Sequence, residues 1–122
     1  MHFYSFERLS VWQEARKLTK EVYLITSNFP GEEKFGLVSQ MRRAVISVSS
    51  NIAEGSSRKT EKDQAHFYTT AYSSLVELLN QMILSFDLGF LEESKYLEMR
   101  AKIELISNQL NKLRKAILNQ SQ

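Results

Sequence analysis

Residues 35–58 read FGLVSQMRRAVISVSSNIAEGSSR. Within them Val38, Met41, Val45, Val48 and Ile52 recur at alternating spacings of three and four, which is the pattern of a buried stripe on a bundle helix. Beside it runs a second row: Gln40, Arg43, Ser47, Asn51 and Glu54. These residues also step by three and four, so they share one helix face. That row is not the Lys/Glu surface of a solvated helix. It mixes amides, a hydroxyl and opposite charges. The two rows predict a helix from about Phe35 to Glu54 with a polar seam beside an apolar one. Gly55 stands where a C-terminal cap belongs, followed by Ser56 and Ser57. Residue physics carries this stretch to a bundle helix and no further toward an activity.

Three more helices follow from the same reasoning. Ser10-x-x-Gln13 has the form of a capping box for the first helix. Its seam is Val11, Ala15, Leu18, Val22 and Ile25, ending near Phe29 before Pro30-Gly31 breaks the helix. Thr60 is placed to cap the third helix, with Asp63 as its N3 carboxylate. The third seam is Tyr68, Tyr72, Leu75, Leu79, Met82 and Phe86, and Gly89 is the stop. A fourth helix starts near Glu92 or Ser94 with Tyr96, Met99, Ile103, Ile106, Leu110, Leu113 and Ile117 as its seam. Lys112, Arg114 and Lys115 are expected in its last turns, where cations suit the helix dipole. The tail after Asn119 is expected to fray. Four helices with short connections predict an all-α fold, an antiparallel up-down four-helix bundle spanning residues 1–122 as a single domain.

Composition narrows the functions. A chain of 122 residues is long enough to bury one core without staples. The absence of cysteine excludes disulfides and thiolate metal sites, and fits a cytoplasmic protein. No apolar run approaches the roughly 20 residues that span a bilayer, so no membrane partner is expected. The first ten residues, MHFYSFERLS, lack the basic-then-apolar order of a secretory signal. A net charge of +2 permits nucleic-acid binding without demanding it.

Catalytic constellations are missing from the pattern. Asp63-x-x-His66 resembles one element of a di-iron bundle, but that site needs two such elements and further inward carboxylates. His2 is the other histidine, near a terminus. No serine elbow and no phosphate-binding glycine loop occur. The expectation is a non-enzyme with no metal and no cofactor.

Charge and apolar excess supply the remaining clues. Glu77 stands in the apolar middle of the third helix, and a buried carboxylate is costly unless paired. An Arg43–Glu77 ion pair is therefore expected, with Gln40, Ser47, Asn51 and Ser74 completing the hydrogen bonds. The stripe either fixes helix register or contacts a ligand. Arg16, Lys17 and Lys20 lie on the outer face of the first helix, and Arg58, Lys59 and Lys62 surround the turn into the third. With Lys112, Arg114 and Lys115 they are either solvated faces or, repeated around a ring, a phosphate-binding belt. No aromatic residues interleave with these clusters in the sequence, which predicts weak sequence specificity. Trp12 and Tyr23 share a face beside the first seam. Leu97, Ala101 and Leu105 step by four, opposite the fourth seam. A lone bundle should have polar outer faces, so these five are the candidate subunit contacts, unless helix tilt brings some of them into the core.

Gln40-x-x-Arg43-Ala44-x-x-Ser47-x-x-x-Asn51-Ile52-Ala53-Glu54-Gly55 resembles the signature of the four-helix-bundle proteins encoded in intervening sequences of bacterial 23S rRNA genes. Leu9-x-Val11-Trp12-Gln13-x-Ala15, Phe29-Pro30 and Glu33-x-Phe35-Gly36-Leu37 match as well. So do Phe67, Ala71, Ser74, Leu75 and Glu77, then Asp87-Leu88-Gly89. The family's relatives include accessory proteins of diversity-generating retroelements, which are ring-shaped pentamers that bind nucleic acid and a reverse transcriptase. The resemblance implies a homo-oligomer, a pentamer, partnered by RNA or DNA and by a reverse-transcriptase-like or other protein. One departure stands out: many members carry glycine before the helix-three serine, where this chain has Tyr72-Ser73-Ser74. Two functions follow as expectations. One is a nucleic-acid-associated accessory protein. The other is a structural or protein-interaction module that binds no nucleic acid.

Overall fold

The computed structural model describes residues 1–120, with Gln120 described by its backbone alone. Among the described residues there is no strand, and four helices dominate: α1 Ser10–Thr26, α2 Leu37–Ser57, α3 Glu61–Asp87 and α4 Glu93–Gln120. Single turns of 3-10 helix precede α1 (Ser5–Arg8) and α2 (Gly31–Glu33). Each helix packs on its neighbours in order, and α4 closes back on α1, giving the expected up-down four-helix bundle. The tail expected to fray after Asn119 begins with Gln120, whose backbone is still helical; residues 121 and 122 lie outside the described residues.

Helix starts differ from expectation where a side chain has other business. The 3-10 turn runs up to Arg8, so Leu9 is the N-cap and Ser10 is already helical. The Ser10–Gln13 capping box is therefore not formed. Gln13 Nε2 turns back to donate to the Glu7 carbonyl at 2.9 Å, and Gln109 Nε2 donates to Ser10 Oγ at 3.2 Å. α1 stops at Thr26, earlier than Phe29. There Arg42 of α2 donates from Nε to Thr26 Oγ1 at 3.0 Å and from Nη2 to the Tyr23 carbonyl at 3.3 Å. A cation on the last carbonyls of a helix suits its dipole. α2 begins at Leu37 rather than Phe35, because the Glu33 carboxylate accepts the Leu37 N–H at 3.3 Å.

Gly55 corrects the expected end of α2. It does not cap the helix but lies buried inside it, and the helix continues to Ser57. A Cβ there would sit 2.8 Å from Tyr68 Cε1 and 3.1 Å from Phe67 Cβ. The missing side chain lets α2 and α3 approach closely. Gly89 acts as expected: its φ of +80° ends α3, with Phe90 N–H bonded to the Ser85 carbonyl at 2.9 Å and Gly89 N–H to that of Phe86 at 3.0 Å. Thr60 Oγ1 accepts the Asp63 N–H at 3.1 Å, the expected cap of α3.

The core takes in the expected seams of α1 (Ile25 apart), α2 and α4, with Ala44 and Gly55 added, and a face of α3. In α4 only Leu113 of that seam is half-buried. α3 differs. Its buried face is broad and takes in Ala65, Ala71, Ser74, Leu78, Gln81 and Ser85 besides Tyr68, Leu75 and Met82. Tyr72, Leu79 and Phe86, expected inside, flank that face half-buried. In α1 Thr26 is buried in place of Ile25.

Candidate functional site

Alternating helix directions give the bundle two different ends. The start of α1, the turn from α2 to α3 and the close of α4 meet at one, here the α2–α3 end. Ser5 Oγ lies 3.0 Å from Ser56 Oγ, fastening the N-terminal segment there. The Pro30-Gly31 and Gly89 turns lie at the other, the α3–α4 end.

Only part of the polar stripe is brought together. Ser47 Oγ of α2 and Ser74 Oγ of α3 share a hydrogen bond of 2.8 Å. Asn51 Nδ2 donates to the Ser47 carbonyl at 2.8 Å and to Ser47 Oγ at 3.0 Å. These three link α2 to α3 across a half-buried boundary. The expected Arg43–Glu77 ion pair is not made. Arg43 Nη2 donates to Gln40 Oε1 at 2.8 Å, on the exposed side of α2. Glu77 is exposed, and its Oε1 accepts from Gln81 Nε2 at 3.3 Å. Pairing would require a buried carboxylate, and Glu77 is not one. α3 instead rotates Ser74, Leu75 and Leu78 inward, which turns Glu77 out to solvent. Glu54 is exposed too, 3.4 Å from Arg58 Nη2.

The basic clusters, far apart in sequence, converge. Taking each helix to its midpoint, the α2–α3 half carries nine Lys/Arg against five Asp/Glu, while the other half carries seven against nine. The formal charge of +2 thus divides into +4 and −2. Arg16, Lys17, Arg58, Lys59, Lys62, Lys112, Arg114 and Lys115 all lie in the positive half, and Lys20 just beyond the middle of α1. α4 runs on to Gln120, so Lys112–Lys115 sit before its last turn rather than in it.

Aromatic rings accompany these cations, contrary to the sequence expectation. Arg16 Cζ lies 5.6 Å from the Trp12 ring centre, Arg58 Cζ 4.4 Å from that of Phe67, and Arg114 Cζ 5.5 Å from that of Tyr72. Such contacts hold a guanidinium in place without neutralising it. Trp12 and Arg16 are four residues apart on α1, a spacing that makes their contact legible in the sequence. Phe67 and Arg58 are joined only by the turn into α3.

The first cluster lines an open groove of about 520 Å³ formed by Phe3, Glu7, Trp12, Gln13, Arg16, Lys17 and Lys20. Trp12 is half-buried, with the Phe6 ring edge-on at 4.9 Å. The other candidate contact residues stand outward: Tyr23, under Arg42 at 4.5 Å, and Leu97, Ala101 and Leu105 along α4.

Tyr68 and Lys102 both titrate above their ordinary values. Burial pushes the Tyr68 phenol above its ordinary value. Lys102 of α4 bonds Glu21 of α1, and Glu98 lies 3.2 Å away; the bond to Glu21 leads in holding the ammonium above its usual range. Asp63 and His66 are both exposed. Among the described residues no three His, Asp or Glu side chains are grouped to hold a metal ion. Nor is any described helix long and apolar enough to cross a membrane.

The family model of the 23S rRNA-intervening sequence protein matches residues 7–112. Comparison with curated proteins gives no match. The chain is similar to a crystal structure from Bacteroides thetaiotaomicron, a protein of unknown function from the S23 ribosomal protein family. The two superpose with a TM-score of 0.78 at 17% identity, over 86% of this chain and 98% of that one. At that identity the likeness speaks for the fold alone. The family match runs from the 3-10 turn before α1 through most of α4, and so the chain belongs to the 23S rRNA-intervening sequence protein family.

Proposed function

We propose that this protein is a non-enzymatic, homo-oligomeric accessory factor that associates with nucleic acid through its positive end. The carrying observation is the division of charge, +4 at the α2–α3 half against −2 at the other. A phosphate backbone is attracted to the first and repelled by the second, which orients the bundle before any contact forms. Arginines held on aromatic rings offer the planar donors and π-surfaces that nucleic acids use without base-specific readout. Assembly strengthens the argument. Leu97, Ala101 and Leu105 leave an apolar row on α4, and a ring built on that row would repeat the positive end in every copy.

Fluorescence anisotropy with labelled RNA, single-stranded DNA and duplex DNA over a salt series tests the reading. Affinity should fall steeply as salt rises and vary little with sequence. Replacing Arg58, Lys59 and Lys62 by Ala should weaken binding to every sequence alike and flatten the salt slope. Lys112, Arg114 and Lys115 share that end, so their replacement should act in the same direction. Lys34 and Lys95, at the far end, are the controls. Absence of binding to all three nucleic acids at low salt would instead favour a protein-interaction module.

A further inference from the structure

We propose that the groove between the N-terminal segment and α1 is a binding site for single-stranded nucleic acid, with Trp12 as stacking platform and Arg16 and Lys20 as phosphate contacts. The inference rests on the nucleic-acid reading above and deepens it to one site and one class of ligand.

The groove combines the two chemistries a single strand needs. Phe3 of the N-terminal segment, 52% exposed, and half-buried Trp12 of α1 supply aromatic surface. Arg16, Lys17 and Lys20 supply positive charge along the outer face of α1. Lys17 already lies 3.4 Å from Glu14, whereas among the described residues Arg16 and Lys20 have no carboxylate within ion-pair distance. The acid lining the groove, Glu7, is engaged at Oε2 by the Tyr4 N–H at 2.8 Å. Arg16 and Lys20 stand four residues apart, about 6 Å along the helix, so they can meet successive phosphates while a base reaches Trp12. Duplex DNA keeps its bases stacked inside and offers this groove phosphates alone. An unpaired strand can place a base against the indole, and an arginine plane beside a ring is itself a stacking surface.

Trp12 is the sole tryptophan, so its emission reports on this groove and nowhere else. Titrating the full chain with a short oligothymidylate at low salt should quench that emission saturably, and added salt should reverse it. An equal charge of duplex DNA should quench far less. Arg16→Ala with Lys20→Ala should weaken oligothymidylate binding at least about tenfold and lower the salt slope by roughly 1.4, at about 0.7 per lost phosphate contact. Anisotropy with a labelled strand extends the test to variants without the indole. Affinity should rank Trp12 above Trp12→Phe above Trp12→Leu, with the last down about tenfold at unchanged helix content. If the leucine variant does not fold, the phenylalanine variant and the wild-type quench still decide. Anisotropy showing binding while Trp12 emission stays constant would overturn the groove and leave the positive end standing. Absence of binding by either readout overturns both. Equal quenching by polyglutamate would also overturn the site, because that chain carries charge but no bases.

Discussion

Substituting Gly55 by alanine sets two effects of opposite sign against each other. In an exposed helix interior the change gains about 1 kcal/mol of helix propensity. Here the new methyl would lie 2.8 Å from a carbon of the Tyr68 ring and 3.1 Å from Phe67 Cβ, the latter fixed to the backbone of α3. Tyr68 is 3% exposed and cannot swing clear. Overpacking of this kind costs about 1–3 kcal/mol, so Gly55→Ala should lower the urea midpoint. Gly31, with nothing within 4 Å of an added Cβ, is the control and should change little. A raised midpoint for Gly55→Ala would refute the close-approach reading. Tyr68 yields a second expectation. Its phenol titrates higher in the folded state than in the unfolded chain, so the native state holds the proton longer. That contribution is complete below the unfolded value of about 10 and is lost as pH rises through the folded value. Wild-type stability should therefore fall more than that of Tyr68→Phe between neutral pH and pH of about 11. Parallel curves would remove Tyr68 as the cause.

Between α2 and α3 the seam of Ser47, Ser74 and Asn51 acts as a register mark. Sliding one helix past the other by a turn would break the 2.8 Å hydroxyl bond and leave a buried Ser74 oxygen without its partner. A double-mutant cycle of Ser47→Ala and Ser74→Ala should give a coupling of about 0.5–1.5 kcal/mol in chemical denaturation. Additive losses would reduce the seam to coincidence. At this scale the sequence is unevenly legible. In α4 a narrow apolar seam marks the buried face, and the whole of it is legible. The inner face of α3 is wider and includes Ala71, Ser74, Gln81 and Ser85, which carry no hydrophobic signal. The direction of Glu77 is hidden for the same reason: polar and small residues widen the inner face of α3, and Glu77 falls outside it. The basic clusters were legible as clusters. Their meeting at one end, and the approach of Phe67 to Arg58 and of Tyr72 to Arg114, depend on the fold.

For the whole molecule the question is what covers the outside of α4. Leu97 and Leu105 are 53% and 46% exposed, with Ala101 between them on the same face. Single exposed leucines are ordinary on a soluble protein, but a row at four-residue spacing is a continuous ridge that can fill a groove on another copy. None of Leu97, Ala101 and Leu105 lines the Trp12 groove or takes part in the polar seam. Closed rings join two different faces of the subunit, and α1, with Tyr23 and Leu24 exposed, offers a second apolar face. Light scattering on the purified chain should then give several times the 14.2 kDa subunit mass, and five times for the ring the family resemblance implies. Leu97→Lys with Leu105→Lys places two cations in the contact and should yield monomers with unchanged helix content, since neither side chain belongs to the core. Thermal stability carries an independent signature. A protein stabilised by assembly melts higher as its concentration rises, and the doubly substituted chain should lose that dependence. A wild-type monomer at micromolar concentration would sink the proposal. So would an oligomer that both lysines leave intact, because the interface would then lie elsewhere on the bundle.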